Sequence, residues 1–151
     1  LASKYAADGL RVIGLRYFNV YGIGQNPSYA GVIPQFIEKL SQHESPIIEG
    51  DGNQIRSFTF IDDVVRANYL AFESDVNHEF FNIATENMTS INELAELMIE
   101  MSNLTLKPIH EKPRQGDIKK SYAYISKAQK LLRWNPEVNL ENGLKNIFPK
   151  I

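Results

Sequence analysis

The sequence contains no cysteine, which excludes a disulfide scaffold and a zinc–thiolate site and suits a reducing compartment. It has no apolar run long enough to span a membrane, and its first residues lack the basic-then-apolar order of a signal peptide. Lysine and arginine number 16 against 18 acidic residues, so no basic stripe is available for nucleic acid. His43, His78 and His110 lack ligand-like spacing, so no metal site is expected. These absences predict a cytoplasmic protein that binds neither nucleic acid nor membrane.

The composition that remains is that of a globular protein. The 151 residues, 43% hydrophobic and 23% charged, make one ordinary domain or part of a larger one. Short apolar runs of strand length occur at Arg11–Tyr17 and Glu79–Ile83, with helical patterns between them. Leu1–Asp8 is predicted to be the end of a helix, closed by Gly9. The alternation indicates the α/β class, with parallel pairing of the two strands.

Capping residues and apolar spacing mark further helices. Ser90-x-x-Glu93 and Ser126-x-x-Gln129 have the form of capping boxes, and Asp62 or Asp63 is predicted to cap a third helix. A carboxylate pair could also serve in acid–base chemistry, but a helix start is the better interpretation of Asp62 and Asp63. The predicted buried positions of four helices are Ile33, Phe36, Ile37 and Leu40; Val65, Tyr69 and Phe72; Ile91, Leu94, Ala95, Met98 and Met101; and Leu140, Leu144, Ile147 and Phe148.

Three motifs follow one another along the chain. They are Leu15-Arg-Tyr-Phe-Asn-Val-Tyr-Gly22, the segment from Gly50-Asp-Gly-Asn-Gln-Ile-Arg56 to Asp63, and Pro113-Arg-Gln-Gly-Asp117 followed by Ser126-Lys-Ala. Together they resemble the NAD-dependent epimerase/dehydratase family of extended short-chain dehydrogenases, and most closely its UDP-glucose 4-epimerase branch. The resemblance implies the C-terminal part of a Rossmann-type fold, with mixed sheet strands and packed helices and without the N-terminal cofactor-binding half. Residues 1–151 would then be the nucleotide-sugar-binding portion, with Rossmann strands near 11–17 and 79–83.

Two parts of the family's chemistry are not found in the sequence. Neither Gly22-Ile-Gly24 nor Gly50-Asp-Gly52 completes the G-x-G-x-x-G turn that admits a pyrophosphate. The family's acid–base pair is Tyr-x-x-x-Lys, and none of the seven tyrosines has lysine four residues later. No catalytic residue is therefore assigned. The resemblance implies NAD as the cofactor of the complete enzyme, with Phe18 touching its nicotinamide end, but these 151 residues are not expected to bind NAD tightly.

The substrate site is the part that the resemblance assigns to this chain. Arg56 and Arg114 match the family's two diphosphate-binding arginines, and a planar guanidinium suits phosphate oxygens. Asn19 is expected to contact the diphosphate or the sugar, and Asp117 a ribose hydroxyl. The ordinary alternatives are solvated surface arginines, an asparagine that stabilises a turn, and an aspartate that caps one.

The expected nucleobase site departs from the family pattern. Gly31 and Val32 match the stretch that packs along the uracil, and Ile47 and Glu49 match the strand on its other side. The family usually has an aromatic ring where this chain has Glu49, and a carboxylate cannot stack on a base. Ser57 and Tyr124 also replace aspartates that are common in the family. An Arg-Ser-Phe sequence like that at Arg56 occurs in some decarboxylase relatives.

The function predicted is the UDP-sugar-binding half of a UDP-glucose 4-epimerase-like enzyme, which acts by NAD-dependent oxidation and reduction at C4. A UDP-glucuronate decarboxylase or a dTDP-glucose dehydratase is the alternative with the same architecture. A non-catalytic nucleotide-binding or assembly module is the alternative of another class. Arg11–Tyr17 and Glu79–Ile83 would normally lie beside strands of the missing half. Without those strands, unpaired backbone groups and apolar faces would be exposed, which invites association. A homo-oligomer is therefore expected.

Overall fold

The computed structural model describes residue 4, residues 7–25 and residues 31–148. The helix predicted over Leu1–Asp8 lies partly outside these residues, but Gly9 has the left-handed φ of +85° expected of its cap. The elements with defined bounds are, in chain order, β1 (Ile13–Tyr17), β2 (Val20–Tyr21), α1 (Val32–Ser41), β3 (Ile47–Glu49), β4 (Ile55–Arg56), β5 (Thr59–Phe60), α2 (Ile61–Glu73), β6 (Glu79–Ile83), β7 (Thr89–Ser90), α3 (Ile91–Met101), β8 (Ile109–Glu111), β9 (Lys120–Ser121), α4 (Ser126–Leu132) and α5 (Leu140–Ile147).

The two predicted apolar strands form a parallel pair. Strand β1 pairs with β6 in a register that runs from Ile13 opposite Glu79 to Tyr17 opposite Ile83. This confirms the α/β class and the parallel pairing. Among the described residues each of these strands has a partner on one edge only. Strand β1 starts two residues later than predicted. The side chain of Arg11 instead donates to the carbonyl oxygens of Ala71 and Phe72, each at 3.0 Å, at the C-terminal end of α2.

The chain changes sheet immediately after β1. Strand β2 pairs in parallel with β5, and β3 pairs in parallel with β8. Strand β4 lies between β7, to which it is antiparallel, and β9, to which it is parallel. The described strands therefore form three small parallel sheets and one mixed sheet, β7-β4-β9, which agrees with the mixed strands that the resemblance implied. In open α/β sheets, ligands bind at the carboxyl ends of the strands.

Two apolar clusters support these sheets. The first, here the α3 core, joins α1, α3, α5 and the strands β2, β3 and β5; its fully buried side chains include Phe36, Leu40, Leu94, Met98 and Leu144. The second, here the Trp134 core, packs α2 and α4 on β1 and β6 and includes Phe81, Ile83, Leu132 and Trp134. The predicted buried positions of α1, α3 and α5 face the α3 core, where Met101, Leu140, Ile147 and Phe148 are partly buried.

The predicted apolar face of α2 is wrong. Val65, Tyr69 and Phe72 are 60%, 62% and 78% exposed. The buried positions of the helix are Asp63, Val64, Ala67 and Ala71. Small residues face the Trp134 core because α2 lies against β1 and α4, and the large apolar side chains point outward.

The capping predictions have mixed outcomes. Ser90 and Glu93 form the reciprocal capping box at the start of α3, as predicted. The box predicted at Ser126 is wrong, because Ser126 is already helical, Ile125 is the N-cap and Gln129 donates to Asn135 Oδ1 at 3.0 Å. The cap predicted at Asp62 or Asp63 is also wrong: α2 begins at Ile61 without a side-chain cap.

The Asp63 carboxylate joins α2 to the segment that precedes α5. Its side chain is almost fully buried and accepts backbone N–H bonds from Glu137 at 2.9 Å and Val138 at 3.1 Å. It also pairs with Arg66 at 2.9 Å, while its backbone carbonyl accepts the Trp134 indole N–H at 2.9 Å. These contacts give Asp63 a structural role. None of the helices in the described part of the chain is long and apolar enough to cross a membrane.

We expect Asp63→Asn to lower the free energy of unfolding by about 2 kcal/mol, because the amide cannot accept both backbone N–H groups and weakens the pairing with Arg66. Urea denaturation followed by circular dichroism measures this difference. Asp62→Asn is the matched control, since Asp62 is the exposed neighbour on the same helix turn. It should change stability by less than about 0.5 kcal/mol. Equal effects of the two variants would contradict the role given to Asp63.

Candidate functional site

One cavity, of about 410 Å³, collects the residues predicted to bind the substrate. It lies beside the α3 core, at the ends of β2, β3 and β4 and under the start of α1. Its volume is within the usual range of small-molecule sites. All eight predicted substrate-site residues line this cavity: Asn19, Gly31, Val32, Ile47, Glu49, Arg56, Arg114 and Asp117.

Asn19 stands where the chain leaves β1 and enters β2. Its φ of +39° lies in the left-handed region, which asparagine tolerates better than most residues. Its amide nitrogen donates to the Ser57 carbonyl at 3.1 Å and approaches the carbonyl and hydroxyl oxygens of Ser121 at 3.4 and 3.3 Å. The amide nitrogen thus stabilises the junction of three chain segments, and the side chain also lines the cavity. The turn-stabilising alternative is therefore part of what Asn19 does.

Arg56 is paired with Asp117 inside the site. Its Nη2 lies 2.7 Å from Asp117 Oδ1, and the two side chains are 14% and 34% exposed. Its Nη1 donates to the carbonyl of Ile55 at 3.0 Å and to the carbonyl of Ile118. The guanidinium is thus held by its own strand on one side and by the segment before β9 on the other.

Arg114 and Asp117 belong to one tight turn. The Asp117 amide donates to the Arg114 carbonyl at 3.2 Å, which closes a four-residue turn. Gly116 is the third residue of this turn and has a φ of +83°, as a type II turn requires. We call residues 114–117 the Arg114 turn. It places the exposed Arg114 side chain and the Asp117 carboxylate at the same cavity.

The opposite end of the cavity holds the predicted nucleobase residues. Gly31 is the N-cap of α1, and Val32 is the first residue of that helix. Ile47 and Glu49 begin and end β3. The backbone carbonyl of Glu49 accepts a hydrogen bond from the side-chain amide of Gln54 at 2.9 Å. The Glu49 side chain is exposed at the rim of the cavity. The rim therefore presents a carboxylate at the position where the family usually has an aromatic ring.

Aromatic side chains lie deeper in the cavity. Tyr21 and Phe58 both line it, and their rings meet edge to face at 6.3 Å. The Tyr21 hydroxyl donates to the Leu140 carbonyl at 3.3 Å, and burial raises the pKa of this phenol well above its usual range. A neutral, buried phenol fits the α3 core better than it fits proton transfer.

The remaining predicted positions lie elsewhere. Phe18 is not among the cavity residues; it packs against the Trp134 core, and its amide donates to the Ile83 carbonyl at 3.1 Å. Ser57 is buried, and its hydroxyl bonds the backbone carbonyl of Thr85. Tyr124 is 78% exposed, and its carbonyl accepts the side-chain amide of Asn82 at 3.2 Å. The described residues contain no group of three acidic or histidine side chains able to hold a metal ion.

The glycines of the described residues do not form the strand-to-helix turn of a dinucleotide site. Gly22 follows β2 but packs against α2, where an added Cβ would lie 2.4 Å from the Ile61 side chain. Gly50 and Gly52 belong to the connection between two strands, β3 and β4. No glycine turn within residues 7–25 and 31–148 joins an apolar strand directly to a helix, so no NAD site is assigned to these residues.

Two glutamines of the cavity were not predicted as site residues. Gln54 stands inside the quoted Gly50–Arg56 motif, and its position two residues before Arg56 was the available signal. Gln25 lies outside every quoted motif. Its side-chain oxygen is buried and has no hydrogen-bond partner among the described residues.

Comparison with known proteins extends over most of the chain. The sequence model of the NAD dependent epimerase/dehydratase family matches residues 1–84. The crystal structure of UDP-glucose 4-epimerase from Thermotoga maritima with UDP-glucose is 41% identical, with a TM-score of 0.92 over 98% of this chain and 48% of that one. UDP-glucuronic acid 4-epimerase from Bacillus cereus, with UDP-glucuronic acid and NAD, is 31% identical, with a TM-score of 0.89 over 99% and 48%.

A decarboxylase is similar to the same degree. UDP-N-acetyl-alpha-D-glucosaminuronate decarboxylase from Bacillus cytotoxicus is 36% identical over 96% of this chain and 47% of its own length. The chain therefore spans about half the length of the relatives it matches.

We expect Asn19→Ala to lower the free energy of unfolding by about 1.5 kcal/mol, because it leaves the Ser57 carbonyl unpaired and places alanine at a positive φ. Asn19→Gly removes the same side-chain contacts but accepts the backbone angle, so it should cost about half as much. Urea denaturation of the three proteins gives the comparison. If glycine is as damaging as alanine, the left-handed backbone contributes nothing to the role of Asn19.

Proposed function

This chain belongs to the NAD dependent epimerase/dehydratase family, and on that basis we propose that it is the nucleotide-sugar-binding portion of a UDP-glucose 4-epimerase-like enzyme. Its relatives include UDP-sugar epimerases and decarboxylases. The observation that carries the proposal is the single cavity that contains all eight residues assigned by the family resemblance. Those residues come from segments up to 98 positions apart, between Asn19 and Asp117, so their meeting depends on the fold.

The proposed ligand pose follows from the charges. Arg114 is exposed and belongs to a turn at the cavity rim, and Arg56 reaches the same cavity from β4. A diphosphate between them would receive charge-assisted hydrogen bonds, with the amide of Asn19 nearby. Asp117 would lie at the ribose, and the base would lie between Gly31 and Val32 on one side and Ile47 and Glu49 on the other.

The proposed reaction of the complete enzyme is NAD-dependent oxidation and reduction at the sugar C4. The described residues offer neither a glycine turn for NAD nor a Tyr-x-x-x-Lys pair for proton transfer. Their proposed part is to bind the UDP moiety and to orient the sugar. We propose Phe18 as a neighbour of the cofactor in the complete enzyme only. Among the described residues, Phe18 packs on the Trp134 core.

Decarboxylation is a second candidate reaction. The sequence Arg56-Ser57-Phe58 matches the form found in decarboxylase relatives, and a UDP-sugar decarboxylase is 36% identical to this chain. The buried Ser57 hydroxyl is bonded to Thr85, so Ser57 does not contact the cavity and does not choose between the two reactions.

We also propose that the protein assembles as a homo-oligomer. The support is the outward face of α2, where Val65, Tyr69 and Phe72 are exposed, together with the exposed Tyr17 of β1. Tyr17 donates to the side chain of Asn68 on α2 at 2.8 Å, so the exposed side chains of β1 and α2 adjoin. Contiguous surfaces of this kind are typical of protein contacts.

UDP should bind the 151-residue protein, and Arg114→Gln should raise the dissociation constant about tenfold because one charge-assisted contact to the diphosphate is lost. Isothermal titration calorimetry measures both values. Lys130→Gln is the charge-matched control on α4, outside the cavity, and should change the constant less than twofold. No UDP binding by the wild type, or equal losses in the two variants, would contradict the proposed function.

Glu49→Tyr should tighten UDP binding by about threefold to tenfold, because an aromatic ring at the rim can stack on the uracil. Glu49→Gln is the control, since it removes the negative charge without adding a ring. Calorimetry on the two variants separates the effects. If glutamine tightens binding as much as tyrosine does, the gain comes from charge and the stacking argument is wrong.

A further inference from the structure

We propose that Asp117 is a positioning residue that holds the Arg114 turn against Arg56 and so places Arg114 for the diphosphate. The inference rests on the proposed function, because it concerns the same site. It adds to the ribose contact proposed for Asp117, because it acts on the diphosphate through the arginines. Asp117 would affect ligand binding through Arg56 and Arg114. Its own carboxylate does not attract a bound anion.

The hydrogen bonds of Arg56 are the first support. A guanidinium has five N–H donors, and three contacts engage them here: the Ile55 carbonyl, the Ile118 carbonyl and the Asp117 carboxylate. Two of these three partners belong to the segment directly after Gly116. Arg56 therefore connects the end of the Arg114 turn to β4. One contact is with the Ile118 backbone carbonyl, and the other is the ion pair with the Asp117 side chain.

The geometry of the turn is the second support. The Asp117 amide bonds back to the Arg114 carbonyl, so the residue that pairs with Arg56 also closes the turn that carries Arg114. Gly116 gives the turn its positive φ, and no atom lies within 4 Å of a Cβ added there. The turn is thus open to solvent at Gly116, and its fixed points are the backbone bond and the contacts with Arg56.

Electrostatics separates this role from the alternatives. A carboxylate beside a diphosphate repels it, so Asp117 acting only as a local charge would weaken anion binding, and its removal would tighten it. Direct contact with a ribose hydroxyl would favour UDP and leave pyrophosphate unaffected. The positioning role alone requires that loss of Asp117 weakens both ligands.

The test is titration calorimetry of UDP and of inorganic pyrophosphate with the wild type, Asp117→Ala and Gly116→Ala. Both variants should weaken both ligands, Asp117→Ala by about fivefold, a size limited by the partial exposure of the ion pair. Gly116→Ala strains the same turn without changing a charge or meeting a neighbouring atom, so it should move both ligands in the same direction. Glu111→Gln, which removes an exposed carboxylate on β8 outside the cavity, is the control and should change either affinity less than twofold.

Each outcome bears on one proposal. If Asp117→Ala weakens UDP but leaves pyrophosphate unchanged, Asp117 contacts the ribose and the positioning role is overturned; tighter binding of both ligands overturns it as well. Amide hydrogen exchange at position 117 tests the role without a ligand. The amide hydrogen that bonds the Arg114 carbonyl should exchange faster in Asp117→Ala. Unchanged exchange overturns the inference. A wild type that binds neither ligand but shows faster exchange in the variant would contradict the proposed function and leave the turn mechanism standing.

Discussion

Asn19 marks the point at which one stretch of chain leaves the sheet it forms with β6 and joins the sheet it forms with β5. Its amide nitrogen bonds the Ser57 carbonyl and reaches Ser121, so three strands that are distant in sequence meet at one side chain. The backbone there adopts a positive φ, which few residues tolerate. The cavity lies on the β2 side of this junction, where Asn19, Val20 and Tyr21 line it.

The buried carboxylate of Asp63 supports the same region from the opposite side. It fixes the chain at Glu137 and Val138, from which α5 begins, and α5 lies under Tyr21. An added Cβ at Gly143 would lie 2.0 Å from the Tyr21 hydroxyl, so α5 approaches the cavity wall as closely as a helix can. Asp63 on α2, a helix that packs on the Trp134 core, therefore holds the segment that leads into α5, a helix that packs on the α3 core.

What could be predicted from the sequence was whatever depends on local chemistry or on a motif of several residues. The capping box at Ser90 is local and was correct. The same pattern at Ser126 failed because the preceding segment is fixed by its packing on the Trp134 core, where Ile125 is buried. The spacing of Val65, Tyr69 and Phe72 predicts the wrong buried face for α2. Helix packing against β1 and α4 instead requires small residues, and the spacing of hydrophobic residues does not reveal which neighbour a helix has.

The same distinction between local motifs and long-range packing applies to the site. The quoted motifs contain four of the eight predicted cavity residues: Asn19, Arg56, Arg114 and Asp117. The other four, Gly31, Val32, Ile47 and Glu49, followed from their positions in the family resemblance. The motifs did not indicate that Arg56 would be paired with Asp117, since that contact joins residues 61 positions apart. Gln25 was missed for a related reason: its place in the cavity wall follows from the path of the chain after β2, and no neighbouring residue in the sequence marks it.

The sequence separation of these contacts also sets an order for folding. Helix α3 has a local capping box and can form early, whereas the β1–β6 register joins residues 66 positions apart and the Asn19–Ser121 contact spans 102 positions. Each long loop must lose its chain entropy before such a contact stabilises anything, so these contacts form late. During synthesis the binding cavity can be completed only when residues 114–121 have emerged from the ribosome, because Arg114, Asp117 and Ser121 come late in the chain. Until then the polar groups around Asn19 are hydrated, and the residues that line the cavity lie on segments not yet in contact.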